Sequence, residues 1–415
     1  MSVTKICAPS DCTGCGMCQQ ICHQNAISML PDTEGFLHPS IDISLCNNCG
    51  MCQRFCPVNT PLMKRKVLKV YSGWSNDEYV RINSSSGGAF TEIAKLILVK
   101  GGVVFGVAMD ESVMARHIYV DNENELSKLR GSKYVQSIIG NAYREAKEFL
   151  QNGRLVLFTG TPCQIAGLYN YLRKDYSNLY TVDLICHGVP SPKIFYDYKK
   201  YIEGIIKERV TDVKFRYKKS SWIFYNMGIN PHVEKTGTIT HSYMGSYYAD
   251  PYIRVFLRDN ILRPNCYHCQ YTSIERISDF TIADWWKYKA VSEADNDFEK
   301  KGVSLLMCNS EKAVNLSQNL SMKLRERTIE EASNTNLSLR RPFPKPETRD
   351  EFWSDYQKLS FNQMVKKWMY PESIPLSVYF KIYSKSRFLY MMAYFYERVL
   401  RKIHLAKYII KVQAK

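Results

Sequence analysis

The spacing of the cysteines is the strongest indication of chemical function in this sequence. Eight of the fourteen cysteines fall between residues 12 and 56, in two blocks that repeat at an offset of 34 residues and share the pattern C-x-x-C-G-M-C-Q-x-x-C. The second block ends in Cys-Pro, as in the bacterial ferredoxin run, in which the fourth cysteine of each block ligates the other cluster. The predicted 4Fe-4S ligand sets are Cys12, Cys15, Cys18 and Cys56 for cluster I, and Cys46, Cys49, Cys52 and Cys22 for cluster II.

A pair of zinc knuckles is the alternative interpretation of the two blocks, because zinc also binds C-x-x-C pairs. Zinc sites do not need a triple C-x-x-C-x-x-C run with a fourth cysteine three residues on, so the pattern favours iron–sulfur clusters. One departure is His23, which stands where the first block would usually carry proline. Two clusters this close together predict electron transfer rather than hydrolysis.

Four further cysteines form a second candidate set. Cys163 follows an apolar, strand-like run, Cys186 ends another, and Cys266 and Cys269 form a C-x-x-C pair. Four thiolates suffice for one more 4Fe-4S cluster. The alternatives are a zinc-stapled hairpin at the C-x-x-C pair, or a nucleophilic Cys163 with His187 as its base.

A serine- and glycine-rich loop is another candidate site. Residues 83–88, Asn-Ser-Ser-Ser-Gly-Gly, precede an apolar helix-like stretch. Small residues with free N–H groups thus stand where a helix dipole begins, which is an arrangement that can bind phosphate. The alternative is an ordinary serine N-cap beside flexible glycines.

The elements that must position these residues alternate along the chain. After a basic connector at residues 60–70, strand-like runs at 103–107, 155–158 and 179–185 alternate with helix-like stretches at 89–99, 141–151 and 164–173. This alternation predicts a sheet with covering helices. Parallel strands of such a sheet place ligand sites at their carboxyl ends, where Cys163 would lie.

Composition narrows the class of protein. The 415 residues are 45% hydrophobic and 23% charged, which is typical of globular chains, and the net charge is +16. The longest apolar run, residues 388–396, is far short of the roughly 18 residues that a membrane helix needs, and the N-terminus lacks a secretory apolar region. We therefore expect a cytoplasmic protein whose thiols are reduced and free to bind metal. Cys7 and Cys308 fall outside every predicted ligand set, and we interpret them as structural.

The C-terminal segment carries much of the positive charge. Residues 381–415 contain nine Lys or Arg and one acid, among many aromatic residues. A basic, aromatic helix can contact an anionic membrane surface or a partner protein; the alternative is a helix packed on the rest of the chain. Nucleic acid is not a predicted partner, because no recognition motif accompanies the charge.

Six motifs in order resemble one known family. They are GFLHP through Cys-Pro at 35–57, SGGAFT at 86–91, GSKYVQS at 131–137, GTPCQ at 160–164, DLICHGVPSP at 183–192 and RISDFTIADWW at 276–286. Over roughly residues 5–310 the chain resembles the coenzyme F420 hydrogenase/dehydrogenase beta-subunit family. It departs from the family at residues 283–287, Ala-Asp-Trp-Trp-Lys, where Gly-Asp-x-Trp-Gly is common.

The resemblance implies an iron–sulfur flavoprotein that binds FAD and a 4Fe-4S cluster. The family's cluster ligands carry over to Cys163, Cys186, Cys266 and Cys269. The flavin contacts carry over to Ser86, Gly87, Gly88, Lys133 and Thr161. For Lys133, the alternative is a solvated loop lysine. Relatives act on the deazaflavin or on other conjugated substrates, often beside surface polysaccharide genes, so the hydride substrate stays open.

The predicted fold is α+β: an N-terminal two-cluster ferredoxin domain, an α/β iron–sulfur flavin-binding domain and a mainly helical C-terminal tail. The predicted boundaries are 1–66 for the ferredoxin, 67–155 and 156–315 for the two parts of the flavin domain, and 316–415 for the tail. The predicted function is an oxidoreductase that passes electrons between clusters and a hydride substrate through FAD, with a redox partner protein or a small electron donor. The alternatives are a non-catalytic electron-transfer subunit of a larger complex, and a zinc-binding scaffold with a basic tail.

Overall fold

The structure is a computed structural model that describes residues 5–218, 221–234, 239–247, 249–290 and 297–369. The strands are β1 (Ile27–Pro31), β2 (Leu37–Ile41), β3 (Lys69–Ser75), β4 (Val103–Met109), β5 (Ala115–Val120), β6 (Val156–Gly160), β7 (Leu179–Leu184), β8 (Val213–Tyr217), β9 (Asn226–Val233), β10 (Ile239–Ser246), β11 (Phe280–Asp284), β12 (Ser304–Cys308) and β13 (Met322–Arg327). The helices are α1 (Met17–Ile21), α2 (Met51–Arg54), α3 (Glu78–Asn83), α4 (Ala89–Val99), α5 (Ala142–Gln151), α6 (Pro162–Leu172), α7 (Pro192–Ile206), α8 (Pro251–Leu257), α9 (Phe298–Lys301), α10 (Glu311–Ser317), α11 (Ile329–Thr335), α12 (Arg349–Tyr356) and α13 (Phe361–Met364).

The N-terminal segment has the internal symmetry that its repeat predicts. Strands β1 and β2 pair antiparallel, and each cysteine block turns into a short helix, α1 or α2. Gly16 and Gly50 are the N-caps of these helices, with φ of 71° and 70°. A left-handed residue is needed to turn the loop into the helix, which explains the glycine in both copies of the pattern.

An eight-stranded mixed sheet forms the centre of the body, in the order β13-β3-β12-β11-β7-β6-β4-β5. Strands β11, β7, β6 and β4 are parallel, and antiparallel strands flank them on both sides. The carboxyl ends of the four parallel strands therefore meet at one edge of the sheet.

Alternate residues of the central strands face opposite layers of helices. Phe105 and Phe158 pack toward α5 and α6, while Val104 and Leu157 pack toward α4 and α10. The first core also contains Met17 and other residues of the cysteine-rich segment. That segment is therefore packed on the sheet domain rather than joined to it by a linker alone.

A second, three-stranded sheet (β10-β9-β8) packs with α7, α8, α12 and α13 around a separate core. The mixed α/β fold with a ferredoxin-like N-terminal segment and a helical C-terminal region is thus confirmed.

The predicted start of the helical tail at residue 316 is not where the sheet ends. Strand β13 lies beyond that boundary and pairs with β3 over the whole of its length, because β3 would otherwise be an exposed edge. Helices follow as far as residue 369, and the predicted basic, aromatic segment at 381–415 lies outside the described residues. In the described ranges, no helix is both long and apolar enough to cross a membrane.

Candidate cluster and cofactor site

The first group of cysteines lies at the base of the N-terminal segment, against α6. It consists of Cys12, Cys15, Cys18 and Cys56, all of them buried. Cys15 and Cys18 both interact electrostatically with Cys12 and Cys56, and Cys18 also interacts with Cys15. Burial raises the pKa of Cys15 to about 12. A thiol with so high a pKa would lose its proton only to a bound cation, whereas the contact with Cys7 lowers the pKa of Cys12 to about 4.

The second group lies nearer the surface. Cys52 interacts electrostatically with Cys22, Cys49 and Cys46, so the fourth cysteine of the first block joins the second block. Cys49 is exposed, and Cys22 and Cys46 are half-buried. The structure therefore brings together the two crossed sets that the repeat predicts. Within the described ranges, no three His, Cys, Asp or Glu side chains are placed to hold a single metal ion.

Cys7 stands beside the first group, although no spacing pattern includes it. Its thiol is within hydrogen-bonding reach of Cys12 and Cys56, and these contacts raise the pKa of Cys7 well above its ordinary value. Asn59 Nδ2 donates to the carbonyl of Ile6 at 3.0 Å and holds this segment in place. If Cys7 is structural, as predicted, it would stabilise the chain next to the ligands of cluster I.

The third group draws its cysteines from three separate parts of the sheet domain. It consists of Cys163 in the first turn of α6, Cys186 after β7, and Cys266 and Cys269 around the 3-10 helix Pro264–His268. Cys163 and Cys186 each interact electrostatically with both cysteines of the C-x-x-C pair. Burial raises the pKa of Cys163 and of Cys266 to about 12. The four thiols share one site, as a 4Fe-4S ligand set would require.

The alternative in which His187 serves as the base of Cys163 is not what the contacts favour. His187 Nε2 is 2.6 Å from Asp259 Oδ1. The thiol of Cys163 instead lies 3.1 Å from the hydroxyl of Thr161. His187 is therefore oriented by Asp259 and not by the cysteine.

The first and third groups are nearly in contact through α6. A Cβ atom added at Gly167 would stand 3.2 Å from Cys15 Cβ and 3.3 Å from Cys15 Sγ. Tyr143 Oη lies 3.0 Å from the carbonyl oxygen of Cys15 and 2.8 Å from that of Gln164, one residue after Cys163. A glycine in a helix interior is costly, and here it permits the close approach of the two sites.

A cavity of about 400 Å³ opens at the carboxyl edge of the parallel strands, next to the third group. All four parallel strands contribute to its walls at or near their carboxyl ends, among them Val107 of β4, Gly160 of β6, Leu184 of β7 and Asp284 of β11. Cys163 and Cys186 also line it. The volume lies in the range of about 300–1,000 Å³ that is typical of ligand pockets.

The predicted flavin contacts divide into two kinds. Ser86, Gly88, Lys133 and Thr161 line the cavity. Gly87 does not line it, because its backbone packs against the sheet, where an added Cβ would meet the carbonyl oxygen of Gly73 at 2.4 Å. The hydroxyl of Ser86 donates to the carbonyl of Val303 at 2.7 Å, so it serves the loop as well as the cavity wall.

Helix α4 begins at the cavity wall. Its N-cap, Gly88, has φ of 101° and supplies no side-chain cap. Ala89 and Phe90 of the first turn line the cavity too. The positive end of this helix dipole therefore faces the cavity, as an anion-binding site requires.

Lys133 is not a solvated loop lysine, because its ammonium group is hydrogen-bonded to the backbone. Its ammonium group donates to the carbonyl oxygens of Lys128, Leu129 and Arg130 at 2.9–3.2 Å, and so caps the 3-10 helix Glu123–Lys128. Burial lowers the pKa of Lys133 to about 7. An anionic ligand in the cavity would raise that pKa again by favouring the charged form.

One end of the cavity is aromatic and charged, and the sequence predicted only some of its residues. Tyr225 and Trp286 line it, and the guanidinium of Arg216 lies 4.7 Å and 5.2 Å from their ring centroids. Arg216 forms an ion pair with Asp284. The family motif signalled Asp284 and Trp286, whereas no sequence signal marks Arg216. Lys287 has φ of 60°, so it adopts the left-handed conformation expected of the glycine that the family carries there.

The donor chemistry of these sites suits the cofactors implied by the sequence. The cysteines of all three groups are free thiols, which is the kind of ligand that 4Fe-4S clusters need. The cavity combines a helix N-terminus, a half-buried amine and aromatic walls, which suit a phosphate-bearing aromatic molecule such as FAD. Fold and site together define a protein of the iron–sulfur class with a ligand cavity beside its innermost group of cysteines.

Comparison with known proteins narrows the class to a family. The model for the C terminus of the coenzyme F420 hydrogenase/dehydrogenase beta subunit matches residues 153–332, and the model for its N terminus matches residues 70–142. A 4Fe-4S dicluster domain matches residues 11–60. The chain belongs to the coenzyme F420 hydrogenase/dehydrogenase beta-subunit family, a family of iron–sulfur oxidoreductases.

Thirteen chains of solved structures also match. One comes from a xenon-derivatised F420-reducing NiFe hydrogenase complex of Methanosarcina barkeri. It is 16% identical, with a TM-score of 0.42, and the match covers 63% of this chain and 83% of that one. No curated protein matches the chain.

Proposed function

We propose that the protein is an iron–sulfur flavoenzyme that exchanges single electrons with a redox partner and a hydride with a substrate bound in the cavity. The observation that carries the proposal is the order of the cysteine groups. Cys49 of the second group is exposed, Cys15 of the first group contacts α6, and Cys163 and Cys186 of the third group line the cavity. The groups thus lead from the surface to the ligand site.

The chain's own residues would perform three tasks. The twelve cysteines would hold three clusters, which carry one electron each. The start of α4 and Lys133 would bind the phosphate-bearing part of FAD, and FAD supplies the exchange between hydride and single electrons when it is bound. Tyr225 and Trp286 would contact the conjugated part of a substrate or of the cofactor, and Arg216 would support their rings.

Conversion between two-electron and one-electron chemistry explains why both kinds of site occur in one chain. Clusters without a hydride carrier would only conduct electrons, and a hydride carrier without clusters would exchange only pairs. The identity of the hydride substrate and a link to surface polysaccharide biosynthesis stay predictions that come from the resemblance. The name of the matched family makes coenzyme F420 the first substrate to test.

The first experiment quantifies iron, sulfide, zinc and acid-released flavin in anaerobically purified protein. About twelve iron atoms and one FAD per chain are expected, with an absorption that dithionite bleaches. Colourless protein with zinc and without flavin would contradict the proposal.

A matched pair of cysteine variants tests the third cluster. Cys163→Ala should lower the iron content to about eight atoms per chain. Cys308→Ala is the control, because Cys308 is a fully buried thiol of β12 outside the three groups, and its loss should leave the iron content unchanged. Equal iron in both variants would remove the third cluster.

Turnover separates the enzyme from an electron-transfer subunit. The isolated protein should reduce an artificial one-electron acceptor with a hydride donor such as reduced F420, and Cys163→Ala should abolish this activity while flavin stays bound. Protein with full cofactor content and no turnover with any hydride donor would favour the non-catalytic subunit.

A further inference from the structure

Arg263 is a buried cation that lies between the first and third cysteine groups. It is 1% exposed. Its Nε donates to the carbonyl oxygen of Cys12 at 2.6 Å, and its Nη1 donates to Gln136 Oε1 at 3.2 Å. Its Nη2 donates to the carbonyl oxygen of Leu37 at 3.0 Å and lies 3.1 Å from Nε2 of His38. The two carbonyl oxygens and Gln136 are neutral acceptors, and His38 is itself paired with Asp32, whose Oδ2 lies 3.2 Å from its Nε2, so no carboxylate in the described part of the chain contacts the guanidinium directly.

Other buried arginines of the body are balanced by a carboxylate. Arg216 pairs with Asp284, Arg276 with Asp183 and Arg349 with Glu34. Among the described residues, Arg263 has no ion pair with an Asp or Glu side chain. A buried charge without a counter-charge in direct contact costs several kcal/mol, so a site of this kind favours a bound anion beside it.

The position of Arg263 indicates which anion that would be. Its backbone carbonyl accepts a hydrogen bond from the N–H of Cys266 at 2.8 Å. Its charge acts on the thiols of Cys12, Cys163 and Cys266, which belong to the first and third groups. Gly14 permits the approach, because a Cβ there would stand 2.8 Å from Arg263 Nη1.

We propose that Arg263 is the shared counter-charge of clusters I and III and sets the reduction potentials of both, an inference that rests on the proposed function. A 4Fe-4S cluster with four thiolate ligands carries a net negative charge that grows by one on reduction. A fixed cation in a buried site favours the reduced form, and it does so for both clusters because it lies between them. Arg263 is a positioning and tuning residue and need not touch the substrate.

The test is a redox titration followed by EPR spectroscopy on the full-length protein with its clusters. Arg263→Gln should make the potentials of clusters I and III more negative, with a fall of about tenfold in the ratio of reduced to oxidised cluster at a fixed potential, or about 59 mV for a one-electron couple. Cluster II is the internal control and should shift far less. Arg263→Lys keeps the charge and should stay near the wild type for all three clusters.

A second control removes a buried arginine together with its own counter-charge. The double variant Glu34→Gln/Arg349→Gln should leave the potentials of all three clusters unchanged, because it alters no net charge beside them. A shift in this variant equal to that of Arg263→Gln would overturn the proposal.

Three other outcomes would also test the proposal on Arg263. Unchanged potentials of clusters I and III in Arg263→Gln would overturn the proposal while leaving the proposed function intact. If Arg263→Gln does not retain clusters I and III, retention in Arg263→Lys supports a requirement for charge, and equal loss in both variants overturns it. Wild-type protein without cluster signals would overturn both this inference and the proposed function.

Discussion

Gly167 of α6 is the position at which a single added methyl group tests the contact between the first and third cysteine groups. In Gly167→Ala, the new Cβ would stand 2.7 Å from Tyr143 Oη and 3.2 Å from Cys15 Cβ. A distance below 3.0 Å forces a neighbour to move, and Tyr143 is fully buried. Overpacking of this kind costs about 1–3 kcal/mol, and loss of the tyrosine hydrogen bond adds about 1 kcal/mol.

Helix propensity acts in the opposite direction. Alanine is favoured over glycine in a helix interior by about 1 kcal/mol, so the net destabilisation expected for Gly167→Ala is about 1–3 kcal/mol. The melting temperature should fall by roughly 2–6 °C. Gly204→Ala in α7 is the matched control, since nothing lies within 4 Å of its added Cβ, and it should raise the melting temperature slightly.

Thermal unfolding is measured on anaerobic samples that are matched in iron content, for Gly167→Ala, Gly204→Ala, Tyr143→Phe and the double variant Tyr143→Phe/Gly167→Ala. Removal of the phenolic oxygen takes away the closest clash, so the double variant should lose less stability than the sum of the two single variants. A Gly167→Ala protein as stable as Gly204→Ala would refute the close approach of Cys15 and α6, and a strictly additive double variant would refute the clash with Tyr143.

Three further predictions concern the stability of the fold and the role of Cys7. Arg349→Ala should cost about 3–5 kcal/mol in chemical denaturation, because it leaves Glu34 uncompensated, and the double variant Glu34→Ala/Arg349→Ala should recover part of that loss. His117 is neutral in the fold, since burial lowers its pKa from 6.5 to about 4. The unfolded state then binds more protons below pH 6.5, so stability should fall as the pH drops from about 6.5 to 4, and His117→Gln should flatten this part of the pH profile by up to about 3 kcal/mol. Cys7→Ala should retain the full iron content, and a loss of about four iron atoms per chain would instead make Cys7 a ligand.

Much of the arrangement of the cysteines could be predicted from spacing, because a C-x-x-C-x-x-C run is a local pattern that a short loop can satisfy. The repeat also predicted the crossing of Cys22 and Cys56 between the two groups. The alternation of strands and helices predicted a sheet covered by helices, since periodicity reports which residues are buried. The use of these cysteines as ligands stays a prediction.

Other features could not be predicted, because they depend on contacts between distant parts of the chain. Lys133 caps a 3-10 helix, and Gly87 faces the sheet rather than the cavity. Arg263 and Gly167 owe their positions to the packing of the cysteine-rich segment against α6, and no local pattern marks either of them. Strand β13 lies past the predicted boundary at residue 316; it is a short edge strand with charged residues and gives a weak strand signal.

The shared core decides how electrons could pass between the groups. Met17 and Cys15 pack in the same core as Phe158 of β6 and Ile165 of α6, so the positions of the first and third groups are fixed by packing. Transfer between clusters held there would require no docking of one domain on another, and its rate would be set by the fixed separation and by the potentials that Arg263 tunes. The encounter with an external redox partner would then be the one diffusional step in electron exchange. Under the proposed function it would take place at the face where Cys49 is exposed, which is also where the charge of the partner should matter most.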